Sequence, residues 1–329
     1  VIPVALEGHD VLAQAPTGTG KTCAFGLPIL ENINIKSNNA QVLILAPTRE
    51  LAIQISEDLR EYAYYKEGIR IVTLYGGEYI EKQITSLKKK PQIVVATPGR
   101  LMDHMERRTV RLDNISTVVL DEADEMLNMG FREDIDTILS QVKDNDHQTM
   151  LFSATFSPEI EAITKEYLRK PKVIKINRKE LTLSNITQNY LTVREQDKVE
   201  VVSRIIDINS YDLVMIFCNT KKTVDEVTSG LLQRGFVTEA LHGDMKQMQR
   251  ERVMARFKNK QVNILVASDV AARGLDVNDV DVVFNYDLPQ EDEYYVHRIG
   301  RTGRAKREGV AISLISGKEI YRLKSIMKY

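Results

Sequence analysis

Asp10-Val11-Leu12-Ala13-Gln14-Ala15-Pro16-Thr17-Gly18-Thr19-Gly20-Lys21-Thr22 runs from a short apolar segment through a glycine-rich turn into a second apolar segment, Cys23–Leu30. A strand, a loop and a helix in that order form an anion seat. Glycines let backbone N–H groups wrap a phosphate, and the following helix turns its positive end toward it. In such a loop Lys21 pairs with β- and γ-phosphate oxygens and the Thr22 hydroxyl ligates Mg²⁺. Ala15 stands where the first glycine is usual. As a mere connector the turn would need neither the lysine nor the hydroxyl.

Around this stretch, short apolar runs recur at Asp10–Ala13, Val42–Leu45, Ile93–Ala96, Thr117–Leu120 and Thr149–Phe152. Each is apolar almost throughout, as in strands buried on both faces of a parallel sheet. Amphipathic stretches such as Glu50–Tyr64 and Arg132–Gln141 lie between them. The alternation restarts with Val214–Cys218, Val237–Leu241, Asn263–Ala267, Val282–Asn285 and Val310–Ile315. Strand–helix alternation of this kind predicts two doubly wound α/β domains in tandem. Residues 177–188 are polar and weakly periodic. They read as the region of the interdomain linker, placed at 179–188 between domains at 1–178 and 189–329.

Val118-Val119-Leu120 delivers Asp121-Glu122-Ala123-Asp124 to a strand's carboxyl end, where open α/β sheets bind ligands. Alone, an acidic tetrad in this place is a helix cap and charge cluster. Beside a phosphate loop it suits phosphoryl transfer, with Asp121 holding Mg²⁺ and Glu122 orienting the attacking water. Asp124 is expected to make contacts within the site.

Composition sets the outer bounds. The 329 residues are 43% hydrophobic and 28% charged, which suits globular domains. The longest apolar runs are too short to span a bilayer, and the first residues carry no basic leader. Cys23 and Cys218 have no pairing or metal spacing, which fits a reducing, cytoplasmic setting. A net charge of −1 neither favours nor excludes a nucleic-acid partner, because a local basic stripe suffices.

Asp-Glu-Ala-Asp is the tetrad from which the DEAD-box RNA helicases take their name, and Ala15–Thr22 resembles that family's phosphate loop. The wording of the motifs is similar to bacterial cold-shock-type members. The resemblance implies two RecA-like domains, ATP and Mg²⁺ as cofactors, and RNA as partner with little sequence preference. Pro47-Thr48-Arg49, Gly76-Gly77 and Thr97-Pro98-Gly99-Arg100 resemble the family's RNA-binding motifs. Small hydroxyls, glycine N–H groups and arginines at strand ends suit the phosphates of a single strand. Ser153-Ala154-Thr155 resembles the motif that links nucleotide state to unwinding, and the resemblance implies that Ser153 and Thr155 connect Asp124 to the second domain.

In the second half, Asn219, Gln249, Arg252, Ser268 and Asp269 lie in strings that resemble further RNA-facing motifs, and Asp276 corresponds to a contact with the nucleotide ribose. His297-Arg298-Ile299-Gly300-Arg301-Thr302-Gly303-Arg304 would set its arginines on one side only if helical. The family instead uses Arg301 and Arg304 as arginine fingers, worth about 10³–10⁵-fold in hydrolysis rate, with His297 and Arg298 as coupling residues. The family's adenine-reading glutamine motif would precede Ile2-Pro3-Val4, so the chain reads as a trimmed core. A clamp or remodeller of RNA–protein complexes would use the same residues. Asp124 and His297 favour RNA over a DNA-directed relative.

Overall fold

Val42-Leu43-Ile44-Leu45 sends alternate side chains to opposite faces of a sheet, and all are buried. Val42 and Ile44 join one apolar layer with Phe25, Ile55 and Phe152. Leu43 and Leu45 join another with Leu101, Met126 and Ile138. Strands covered on both faces need helices above and below, and that requirement builds the architecture. The structure, a computed structural model, describes residues 1–15, 19–142, 146–176, 185–272, 277, 280–303, 308–317 and 319–328. The chain divides into two compact units, Val1–Arg178 and Lys179–Tyr329.

The first unit contains β1 (Val11–Gln14), β2 (Val42–Leu45), β3 (Ile71–Leu74), β4 (Ile93–Ala96), β5 (Thr117–Leu120), β6 (Gln148–Ser153) and β7 (Lys172–Lys175). They pair in parallel in the order β3-β4-β2-β5-β6-β1-β7. The second contains β8 (Ile186–Thr192), β9 (Val214–Cys218), β10 (Thr238–Leu241), β11 (Ile264–Ser268), β12 (Val282–Asn285) and β13 (Gly309–Ile315). These are also parallel, in the order β10-β11-β9-β12-β13-β8. Both units are therefore α/β with a parallel sheet. The expected amphipathic stretches form the helices Arg49–Tyr62 and Arg132–Val142.

Three strands escape a reading based on two-faced burial: β3, β7 and β8. Each is an edge strand. Edges keep water on one side, so Lys172-Val173-Ile174-Lys175 and Ile186–Thr192 carry polar residues that resemble a loop. The expected linker at 179–188 is corrected accordingly. Ile186, Thr187 and Gln188 are strand residues, paired with Gly309, Val310 and Ala311.

Candidate active site

Because every pairing in the first sheet is parallel, the carboxyl ends of its strands share one edge, and strand order decides which loops are neighbours. Gly76-Gly77 follows β3, Thr97–Arg100 follows β4 and Pro47–Arg49 follows β2. The next three strands carry Asp121–Asp124 after β5, Ser153–Thr155 at the end of β6 and the glycine-rich loop after β1. The edge is thus sorted into two adjoining stretches, one with the proposed RNA motifs and one with the proposed nucleotide motifs.

In the second stretch Gly20 adopts φ +80°, a left-handed conformation that glycine reaches without steric cost, and opens the helix Lys21–Asn32. Pro16, Thr17 and Gly18 lie outside the described residues. Ala15 is buried and its N–H donates to the Ser153 carbonyl (3.0 Å), tying the loop's start to β6. Lys21 is buried, with Nζ 3.4 Å from Asp121 Oδ1 and 4.0 Å from Glu122 Oε1. Burial opposes its charge, yet Asp121 first, then Glu122 and Asp124, hold its pKa above the ordinary lysine value. An ammonium kept charged between two carboxylates is poised to exchange them for phosphate oxygens. Thr22, one residue on, is half-buried.

Glu122 sits at φ 50°, ψ 50°, left-handed for a residue with a Cβ, just before the helix Ala123–Asn128. Such a conformation costs about 1–3 kcal/mol and concentrates at functional sites. Asp121 Oδ1 accepts the Glu122 N–H (2.9 Å), which helps hold that turn. Asp124 Oδ2 accepts from the Ala154 N–H (2.9 Å), the Thr155 N–H (2.9 Å) and the Thr155 hydroxyl (3.1 Å). Ser153 differs from expectation within the first unit: its hydroxyl donates to the Thr155 carbonyl (2.6 Å) and shapes the turn, while Asp124 is held by its two neighbours. Gln14, unmarked in the sequence reading, donates to the Ala154 carbonyl (3.2 Å) and joins β1 to this turn.

Along the first stretch, Thr48 caps the helix Arg49–Tyr62 by accepting the Leu51 N–H (3.3 Å). The Arg49 guanidinium lies over Gly76, where an added Cβ would sit 3.3 Å from Nη2. Thr97 precedes the helix Pro98–Glu106, and Gly99 is exposed in its first turn. Arg100 donates through Nη1 to the Glu78 carbonyl (3.1 Å) and to Gln83 Oε1 (3.2 Å). The Pro47–Arg49, Gly76-Gly77 and Thr97–Arg100 motifs therefore form one surface.

In the second unit Arg298 is 1% exposed and organises the strand ends. It grips Asp269 bidentately, Nε to Oδ1 and Nη2 to Oδ2, both 2.6 Å. It also donates to Asn219 Oδ1 (2.9 Å), Asn285 Oδ1 (3.3 Å) and the Asp287 carbonyl (2.6 Å). Asn219 and Asp269, read as RNA-facing, have their side chains engaged with this guanidinium. Ser268 ends β11, buried, immediately before Asp269. Lys198 was not singled out by motif. It is buried, donates to the Tyr286 carbonyl (2.9 Å) and lies 3.0 Å from Glu195 and 3.8 Å from Asp287. A lone lysine in an amphipathic helix gives no warning of such a seat.

The one-sided arginine face does not form, because the helix Asp292–Ile299 ends before Arg301. Arg301 lies in the following turn, its N–H donating to the Arg298 carbonyl (3.2 Å), with its side chain largely buried. His297 packs edge-on against Tyr294 at 6.5 Å. Gln249 Oε1 accepts the Lys246 N–H (3.2 Å) at the start of the helix Gln247–Lys258, on which Arg252 is exposed. Asp276 and Arg304 lie outside the described residues.

A buried lysine thus lies between two carboxylates at the carboxyl edge of a parallel sheet, just after a glycine-rich sequence, in a chain of two α/β units. The DEAD/DEAH box helicase family matches residues 1–163, and the helicase conserved C-terminal domain matches residues 197–306. The chain is 52% identical to the ATP-dependent RNA helicase CshA of Listeria monocytogenes, over 99% of its own length and 62% of that protein. It is 50% identical to the DEAD-box ATP-dependent RNA helicase CshA of Geobacillus kaustophilus, over 99% of its own length and 69% of the relative. Among solved structures, Saccharomyces cerevisiae Dbp5 bound to RNA and ADP BeF3 matches with TM-score 0.86 and 33% identity, covering 98% of this chain and 83% of that one. A DEAD box protein of Methanococcus jannaschii matches at 43% identity and TM-score 0.59, covering 100% and 88%. The chain belongs to the DEAD-box helicase family. It spans 62% of the Listeria relative's length. Among the described residues no helix is long and apolar enough to cross a membrane.

Proposed function

We propose that the chain is the motor core of an ATP-dependent RNA helicase, which hydrolyses ATP on RNA-induced closure of its two units and locally unwinds short duplexes. The observation that carries this reading is the shared edge of the first sheet. The Lys21–Asp121–Glu122 cluster lies on the ends of β1 and β5, and Pro47–Arg49, Gly76-Gly77 and Thr97–Arg100 occupy the ends of β2, β3 and β4 on the same edge. Relatives named as RNA helicases, and a related structure bound to RNA and ADP BeF3, support it.

In this reading Ala15–Thr22 cradles the phosphates, Lys21 neutralises them and Glu122 orients the attacking water. Asp276, Arg301 and Arg304 serve the nucleotide from the second unit. Gln249, Arg252 and Ser268 face RNA there, with Asn219 and Asp269 held by Arg298. Backbone and 2′-OH contacts would distinguish RNA from DNA with little sequence preference. Mg²⁺ fits the donor set, since a hydroxyl and a carboxylate are hard oxygen ligands. Among the described residues no cluster of three or more His, Cys, Asp or Glu could hold a metal, so phosphates and water would complete the shell that Thr22 and Asp121 begin. Bound there, the ion would neutralise charge on the transferring phosphoryl group. A cytoplasmic setting follows from the two unpaired thiols, Cys23 and Cys218.

The test is the ATPase rate with and without single-stranded RNA, set against single-stranded DNA, together with displacement of a short RNA duplex. RNA-specific stimulation with displacement is expected. An ATPase indifferent to RNA would overturn the reading, and ATP-stabilised RNA retention without displacement would make the protein a clamp.

A further inference from the structure

The helix Ile80–Leu87 has one fully buried residue, and it is a glutamine. Its apolar residues Ile80, Ile84 and Leu87 are only half-buried. A buried amide survives where its polar atoms are satisfied, and Gln83 satisfies all of them. Nε2 donates to the Tyr75 carbonyl (2.8 Å) and to Glu78 Oε2 (3.1 Å). Oε1 accepts from Arg100 Nη1 (3.2 Å) and pairs with His104 Nε2 (3.1 Å). The amide can face only this way, because the first two partners are acceptors and Arg100 is a donor. His104 Nε2 must then carry the proton, and Nδ1 accepts from the Thr109 hydroxyl (2.8 Å).

These partners bracket the Gly76-Gly77 turn. Gly77 adopts φ +90°, and two consecutive glycines have no side chains with which to fix their own path. Tyr75 and Glu78 stand on either side, and one amide holds both. Arg100, from the first turn of the helix Pro98–Glu106, holds the Glu78 carbonyl and the same amide.

We infer that Gln83 is a positioning residue for RNA: it sets the Gly76-Gly77 turn and the Arg100 guanidinium in register with each other. The inference rests on the RNA reading given under Proposed function. Gln83 touches neither RNA nor nucleotide. It acts by removing the entropy that a loose glycine turn would lose on binding.

The experiment titrates RNA into the ATPase assay for the parent, Gln83→Leu, Gln83→Glu and the double variant Gln83→Glu with Glu78→Gln. Gln83→Leu should raise the RNA concentration for half-maximal stimulation about tenfold, with the RNA-saturated rate and the KM for ATP near parent values. Gln83→Glu should do at least as much harm, since it sets two carboxylates against each other. Adding Glu78→Gln exchanges donor and acceptor between positions 78 and 83 but leaves the Tyr75 carbonyl facing a carboxylate, so the recovery should be partial. A merely structural amide would lower the saturated rate and the folded fraction together, and the exchange would not restore RNA affinity selectively. An unchanged RNA requirement in Gln83→Leu, or a Gln83→Leu loss confined to the saturated rate and the folded fraction, overturns the inference while leaving the helicase reading standing. A parent whose ATPase ignores RNA overturns both.

Discussion

Asp124 and Thr155 meet at a single carboxylate oxygen: Oδ2 accepts both the amide and the hydroxyl of Thr155, and the Ala154 amide as well. The acidic tetrad and the turn after β6 are therefore one rigid piece. Thr155→Val removes the hydroxyl and leaves both amides paired, at a cost of about 1 kcal/mol. Asp124→Ala strands the buried Ala154 amide and leaves the Thr155 amide only its longer bond to the Ser153 hydroxyl (3.2 Å), which should cost about 3 kcal/mol. Urea unfolding of the two variants separates them. Equal losses would mean that the hydroxyl carries the joint.

Glu122→Gln keeps the side chain's size but removes the charge that the proposed mechanism uses to orient water. Turnover should fall about 10²-fold or more while ATP and RNA affinity stay near parent values. Single-turnover hydrolysis with separate binding titrations measures both. A parental rate would exclude Glu122 from the chemistry.

Replacing Arg301 with alanine should lower kcat about 10³-fold and leave the affinity for ATP without RNA little changed, because a finger acts on charge developed in the transition state. Matched losses in kcat and ATP affinity would instead mark a ground-state phosphate contact.

The Arg298–Asp269 pair predicts a stability effect in the second unit. Asp269→Ala leaves a guanidinium buried without its carboxylate, which costs about 3–5 kcal/mol. Arg298→Lys should fail to substitute, since one ammonium cannot reproduce a bidentate fork that also reaches Asn219, Asn285 and Asp287. In a double-mutant cycle the combined loss should fall well short of the sum.

His104 predicts an acid-sensitive helix. Burial first, and the Arg100 guanidinium second, hold its imidazole below the ordinary histidine range. Above about pH 6.5 the folded and unfolded chains are both neutral at this residue. Below it the unfolded chain takes up a proton that the folded chain refuses, so stability falls as pH drops. Amide exchange in Pro98–Glu106 should quicken, relative to global exchange, between pH 7 and pH 5. His104→Asn should flatten that dependence. A slope unchanged in the variant would assign the acid sensitivity elsewhere.

Much of the site is legible along the chain because its parts are contiguous. Strand, glycine turn and Lys21 lie within a dozen residues, and so do the apolar run of β5 and its acidic tetrad. Interior strands announce themselves by burial on both faces. The edge strands β7 and β8 do not, since solvent on one side restores a loop-like composition. Arg298 stood out as part of a basic string, yet its burial depends on Asp269, Asn219 and Asn285, which arrive from three other strand ends.

The amino-acid sequence by itself determined the groups available: a glycine-rich stretch ending in a lysine and a threonine, an acidic tetrad, and small or basic residues at strand ends, each specified by local backbone requirements. Only the tertiary structure decided which of these stand together. Lys21 and Asp121 are brought to 3.4 Å by a parallel sheet that places β5, β6 and β1 side by side. Gln83 and Lys198 acquire their roles solely from burial. Strand order and the satisfaction of buried polar groups are long-range properties, settled by how apolar faces pack and not by any short run of residues.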